Sequence, residues 1–235
     1  MNMYGEDEEW IAYRNSFATD YDQSVMNGSS LQSFVINAGR KKMESIFSSK
    51  DVVDSVLEIG AGTGEHFPFI NHHSNNYCFT DMDALALDVA KKKHADYSGN
   101  LTFLPVEIGD LPFPNESFDR VIATHVLEHI YQPHLALKEW NRLTKPGGII
   151  SILIPTDPGL LWKFGRTLGP RKRAQLRGEP YDYLMARDHV NPCHNLIALI
   201  RHYYSDITEQ WWPLQNVPLY DLNLFYIAHC RKPKA

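Results

Sequence analysis

The stretch Val56-Leu57-Glu58-Ile59-Gly60-Ala61-Gly62-Thr63-Gly64 constrains the fold of this chain more than any other. Val56, Leu57 and Ile59 supply the short apolar run of a buried strand. Gly60, Gly62 and Gly64 then remove the side chains that would hold a ligand away from the backbone. A helix running to about Asn71 is expected to follow, completing the first βα unit of a doubly wound sheet, in which ligands meet backbone N–H groups beyond the strand ends. The glycine spacing narrows the ligand. A dinucleotide fingerprint, G-x-G-x-x-G, would need its third glycine where Glu65 stands, so pyrophosphate is not expected. Glu58 points the same way, because its carboxylate would repel a phosphate and could pair with an ammonium group.

Length and composition leave room for one well-packed domain, since 235 residues with 43% hydrophobic content can bury a sizeable core. The formal net charge of -5 argues against a general nucleic-acid binder. Cys78, Cys193 and Cys230 have neither a disulfide-framework spacing nor a C-x-x-C knuckle, which fits a reducing compartment. Met1 to Glu9 is acidic and has no apolar core, so no secretory leader is expected, and no apolar run reaches membrane-spanning length. A cytoplasmic protein is the expectation.

The glycine stretch resembles the first motif, Glu/Asp-x-Gly-x-Gly-x-Gly, of the class I S-adenosylmethionine-dependent methyltransferases. Three further segments carry the same resemblance. Phe17-Ala18-Thr19-Asp20-Tyr21-Asp22 is similar to the F-A-x-x-Y-D signature of small-molecule members, where the segment closes over the cofactor. Val106 to Val121, with Glu107, Leu111-Pro112-Phe113 and Phe118-Asp119, resembles the members related to quinone biosynthesis, and Lys145-Pro146-Gly147-Gly148 matches their turn before the fifth strand. The resemblance covers about residues 10 to 155 well and 195 to 230 loosely. It implies an α/β fold: a Rossmann-like, seven-stranded, mostly parallel sheet with helices on both faces and an antiparallel C-terminal hairpin.

Along the chain, residues 1–50 are expected to form an N-terminal helical cover, with one helix from about Glu6 to Asp22. A second, from Leu31 to Phe47, would carry an apolar stripe of Leu31, Val35, Ala38, Met43 and Ile46. Residues 51–155 form the cofactor-binding core, 156–195 a substrate-recognition insert of less regular pattern, and 196–235 a helix and the closing strands. Asp81 ends the second strand about 20 positions beyond the first glycine, where a carboxylate can accept both ribose hydroxyls. With the resemblance, S-adenosylmethionine is the expected cofactor, held by Tyr21, Glu58, Gly60, Ala61, Gly62, Gly64, Asp81, Met82, Glu107, Ile108 and His125. Glu107 stands where the family places an acidic residue near the adenine amino group, a mild departure from its usual aspartate.

Lys163, Arg166, Arg171, Lys172, Arg173 and Arg177 cluster between Pro158 and Gly178 without an acidic residue among them. Arginine favours bidentate phosphate or carboxylate recognition, which points to a small anionic acceptor contacted by Arg166, Arg171, Arg173, Tyr183, Arg187 and His189. The same run would equally serve as a solvated helix face. Methyl transfer from a sulfonium needs alignment first and a general base only where the acceptor must lose a proton. His125, following the fourth strand, is the first candidate, with His189 and Tyr183 behind it. Whether the acceptor atom is O or N stays open.

His125-x-x-Glu128-His129 also matches H-x-x-E-H, and the chain has 11 histidines, yet the motif follows a buried strand instead of lying within a long helix. No metal is therefore expected. Trp211 and Trp212 read as core or dimer contacts, which leaves room for a homodimer. Two other classes stay in view: a catalytically silent cofactor-binding protein acting through a partner, and a nicotinamide-dependent oxidoreductase that would need the third glycine in register.

Overall fold

The computed structural model describes Trp10 and residues 31–107, 109 and 111–234. Its centre is a sheet of seven strands: β1 (Ser55–Ile59), β2 (Asn76–Asp81), β3 (Asn100–Pro105), β4 (Phe118–Thr124), β5 (Thr144–Pro155), β6 (Ile207–Trp212) and β7 (Phe225–Arg231). Their order is β3-β2-β1-β4-β5-β7-β6. The first five strands run parallel, whereas β7 pairs antiparallel with both β5 and β6. This is the expected sheet, closed by the expected hairpin. In β1, residues 56–59 are all buried, as a central parallel strand covered on both faces requires.

Helices cover both faces. On one, α3 (Pro133–Leu143) and α7 (Cys193–Tyr203) bring Leu137, Trp140, Leu196 and Ile200 onto Leu57, Ile59 and Val121. On the other, α1 (Leu31–Glu44) and α2 (Ala84–Lys93) meet the face carrying Val56, Tyr77, Phe79 and Ile122. Asp83 caps α2 by accepting from the amides of Leu85 and Ala86.

Four expectations are corrected. The helix after the glycine turn does not form; a single 3-10 turn, Phe67–Phe69, takes its place. Gly62 and Gly64 with positive φ, followed by Pro68 inside the turn, interrupt regular α-geometry there. In α1 the buried face is Ser33, Gly39, Arg40, Met43 and Glu44, while Leu31 and Ile46 are exposed. The reason is a buried ion pair: both Glu44 oxygens accept from Arg120 of β4 at 2.7 and 2.8 Å, and His66 and His72 pack beside it. The insert, expected to be irregular, is three short helices, α4 (Leu160–Leu168), α5 (Pro170–Leu176) and α6 (Tyr181–Asp188). Lys145-Pro146-Gly147-Gly148 lies within β5, whose register to β4 shifts between Phe118 and Arg120. The Glu6–Asp22 helix and the Phe17–Asp22 signature fall outside the described residues, apart from Trp10.

Candidate active site

The carboxyl ends of β1, β2 and β4 meet at a cleft of about 180 Å³ lined by Gly60, Thr80, Asp81, Met82, Val106, Leu111, His125, Val126 and His129. Gly60 has φ +64°, and a Cβ there would stand 2.6 Å from Val126 Cγ2, so glycine is required twice over. At Gly62, φ is +51° and a Cβ would meet nothing within 4 Å, leaving its backbone approachable. The Gly62 amide donates to Asp81 Oδ2 at 2.8 Å and the Asp83 amide to Asp81 Oδ1 at 2.9 Å. Asp81 thus joins the glycine turn to the end of β2. Each carboxylate oxygen keeps a second lone-pair direction for a ligand hydroxyl.

His125 leaves β4 in the left-handed region at φ +58°, unusual for a side chain of this size, held by its amide donating to Leu153 O at 2.9 Å. That turn swings the imidazole to the cleft, where its Nδ1 lies 3.5 Å from Glu128 Oε1 and its buried Nε2 has no hydrogen-bond partner among the described residues. Burial pushes the His125 pKa below the ordinary histidine range, against the opposing pull of Glu128. The sequence motif H-x-x-E-H is therefore split. Leu127–His129 is a 3-10 turn, and His129 reaches both the cleft and the insert.

Asn191 stitches that turn to the insert: its Nδ2 donates to Leu127 O at 3.0 Å and its amide to Glu128 O at 3.2 Å. Behind it, His129 Nδ1 donates to Asp188 O at 2.9 Å and lies 3.2 Å from Asp188 Oδ1. His189 Nδ1 lies 3.0 Å from Asp157 Oδ2, which also accepts from Arg166 at 2.6 Å. Burial works against a charged His129, but Asp188 and Glu128 outweigh it and hold its pKa up at about 9. Asp157 and Asp188 titrate below the usual carboxylate range, because the His189, Arg166 and His129 partners outweigh the cost of burial.

Of the residues expected to hold the cofactor, Gly60, Asp81, Met82 and His125 line the cleft, and Ala61, Gly62 and Gly64 form the turn beside it. Glu58 does not line it. Its carboxylate is buried on the α1 face and accepts from the Tyr77 hydroxyl at 2.6 Å, and burial raises its pKa. Glu107 is exposed next to the cleft residue Val106, while Tyr21 and Ile108 fall outside the described residues.

Of the residues expected to bind substrate, Arg166 and His189 come together at Asp157, on the insert side of His129. Arg171 bonds Asp182, Arg173 donates to Gln32 and Arg177 to Glu179, so the basic run is largely matched by local partners. Arg187 donates to the Tyr183 hydroxyl at 3.1 Å and lies 4.8 Å from the Trp10 ring centroid. Sequence reasoning missed His129, Asp157 and Asp188 as site residues. His129 carries a signal in the H-x-x-E-H match, and Asp188 lies in the stretch 181–192, which is dense in groups that can hydrogen-bond or titrate.

Comparison with known proteins bears on this cleft directly, because residues 57–152, which carry all of its lining, match the methyltransferase-domain family. This stretch is a class I, S-adenosylmethionine-dependent methyltransferase domain. S-adenosylmethionine is the cofactor of that domain, and the approachable Gly62 backbone and the Asp81 carboxylate fit it.

The ubiquinone/menaquinone biosynthesis C-methyltransferase UbiE of Hahella chejuensis is 33% identical over 112 residues, which is 44% of this chain and 45% of that protein. A polyketide synthase-nonribosomal peptide synthetase of Pyricularia grisea is 34% identical over 122 residues, 48% of this chain and 3% of that one. The chain thus spans less than half the length of these curated relatives. The whole fold is similar to the N-methyltransferase NodS of Bradyrhizobium japonicum in complex with S-adenosylhomocysteine, at TM-score 0.63 and 16% identity over 97% of this chain and 100% of that one. It is also similar to an S-adenosylmethionine-dependent methyltransferase of Thermotoga maritima, at TM-score 0.64 and 18% identity over 95% and 99% of the two chains. No helix among the described residues is long and apolar enough to cross a membrane.

Proposed function

We propose that the whole chain is an active methyltransferase that moves the methyl group of S-adenosylmethionine to an O or N atom of a small acceptor. The observation that carries this reading is His125, turned into the cleft by a left-handed backbone with no hydrogen-bond partner for its Nε2 among the described residues. The cofactor supplies a methyl carbon already activated by its sulfonium. What remains for the protein is to align the acceptor, exclude water and accept the proton that an alcohol or ammonium acceptor must lose. A partly buried imidazole whose pKa is lowered by burial is neutral near pH 7 and can take that proton.

The acceptor would enter between the cleft and the insert, where His129, Asp188 and His189 meet. An anionic group on it would face His129, which lines the cleft, more readily than Arg171, Arg173 or Arg177, which do not line it.

Calorimetric titration with S-adenosylhomocysteine, using NAD as control, tests the cofactor half. Micromolar binding of the first alone is expected, and no binding of S-adenosylhomocysteine would sink the reading. His125→Ala tests the base. It should lower kcat with an identified acceptor by about 10²-fold or more, the usual worth of a positioned base, and by more than it weakens S-adenosylhomocysteine binding. An unchanged kcat would remove His125 from that role.

A further inference from the structure

Among the described residues, one cluster gathers metal-ligand side chains at the boundary between the cleft and the insert. His129 from the turn after β4 and Asp188 and His189 from the end of α6 each bring one ligand-type atom to within 4.8 Å of the others. We propose that these three residues bind a divalent transition-metal ion, of the Zn²⁺ or Co²⁺ kind, at the boundary between the cleft and the insert.

The first argument is orientation. A metal-binding histidine almost always donates its other ring N–H to a carboxylate or backbone carbonyl, which fixes the tautomer and aims the ligating nitrogen. His189 does this through Nδ1, 3.0 Å from Asp157 Oδ2, with Asp157 itself held by Arg166 at 2.6 Å. His189 Nε2 is left facing Asp188 Oδ2 at 3.9 Å. His129 is anchored by Asp188 O at 2.9 Å, and its ring stands at 89° to that of His189 with centroids 5.0 Å apart. Bonds of about 2.0–2.2 Å to one ion would set the ligand atoms about 3.3 Å apart, so side-chain shifts of roughly an ångström close the site.

The second argument is the polar environment. Glu128 is buried, its Oε1 lies 3.8 Å from His129 Nε2, and its Oε2 has no hydrogen-bond partner among the described residues. A buried carboxylate is costly unless it is paired, and a cation held next to His129 would stand on the Oε1 side of Glu128.

The third argument is chemical class. Two imidazoles and a carboxylate, with Glu128 beside them, favour Zn²⁺, Co²⁺, Mn²⁺ or Fe²⁺ over Mg²⁺ and Ca²⁺, which prefer all-oxygen sites. His129 also lines the cleft, so an open coordination position would face the acceptor. None of these arguments depends on methyl transfer taking place.

The test uses the untagged full chain, treated with a chelator and titrated with Co²⁺ while the visible d–d absorption is followed. One equivalent is expected to bind and to be displaced by Zn²⁺. The double variant Asp188→Asn/His189→Ala should lose that absorption. Asp157→Asn should weaken Co²⁺ binding by about 10- to 100-fold, as loss of a ligand-orienting partner does. His202→Ala, an exposed histidine on α7, serves as the control and should bind like the wild type. Absence of a stoichiometric Co²⁺ signal in the wild-type chain overturns the proposal. So does full binding by the double variant, or a loss in His202→Ala equal to that in the double variant. S-adenosylhomocysteine affinity, measured on the same samples, reports separately on the methyltransferase reading.

Discussion

At the scale of single residues, the cleft shows two separate reasons for a glycine. Gly60 and Gly62 both have positive φ, which costs an alanine about 1–2 kcal/mol. Only Gly60 also stands against a neighbour, with Val126 Cγ2 2.6 Å from where a Cβ would be. Gly60→Ala should therefore destabilise the chain by about 1–3 kcal/mol more than Gly62→Ala, the usual cost of overpacking, as read from urea unfolding. Equal losses would mean that Val126 yields without cost. His72 and His229 give a second residue-scale expectation. Burial first, and the nearby Arg120 charge next, lower their pKa values to about 4 and about 3. Glu44 pulls both the other way, as does Asp51 for His72, without restoring them. Both histidines are neutral in the folded chain, and the unfolded chain takes up protons first as pH falls below about 6.5. Their contribution is complete above that value and is lost as pH drops toward 4 and then 3. The Tm should fall over that range, and a Phe or Gln at position 72 should flatten the first part of the fall.

At the scale of elements, α1 is held to the sheet by charge more than by an apolar stripe. Arg120 and Glu44 are each no more than 2% exposed, and their bidentate pair is extended by His66, His72, Ser151 and His229. Glu44→Ala would leave the Arg120 guanidinium buried without its carboxylate, at a cost of about 3–5 kcal/mol in chemical denaturation. The double change Glu44→Leu/Arg120→Met should recover most of that loss, because a matched apolar pair carries no desolvation penalty. If the double variant is as unstable as the single one, the network does more than hold α1 in place. This pairing also explains why the sequence pattern of α1 misled. Glu44 looked solvent-facing in one dimension, and the partners that make its burial tolerable lie 22 to 76 positions further along the chain.

At the scale of the whole molecule, the sequence by itself determined the strands of the sheet, the glycine turn and the positions of Asp81 and His125 along the chain, because each rests on local patterning, whereas β5 begins at Thr144, ahead of the expected Ile149. Apolar runs make parallel strands, glycines permit φ beyond the reach of other residues, and a carboxylate at a strand end is a local fact. Tertiary structure alone decided which charges meet. It turned Glu58 to Tyr77, matched Arg171 and Arg177 with acids of the insert itself, and carried Asp188 and His189 back to His129 about 60 residues earlier. Pairing of charges across the fold depends on distances between side chains that no spacing along the chain encodes, since burial sets the cost of an unmatched charge and only the packed molecule determines what is near enough to meet it.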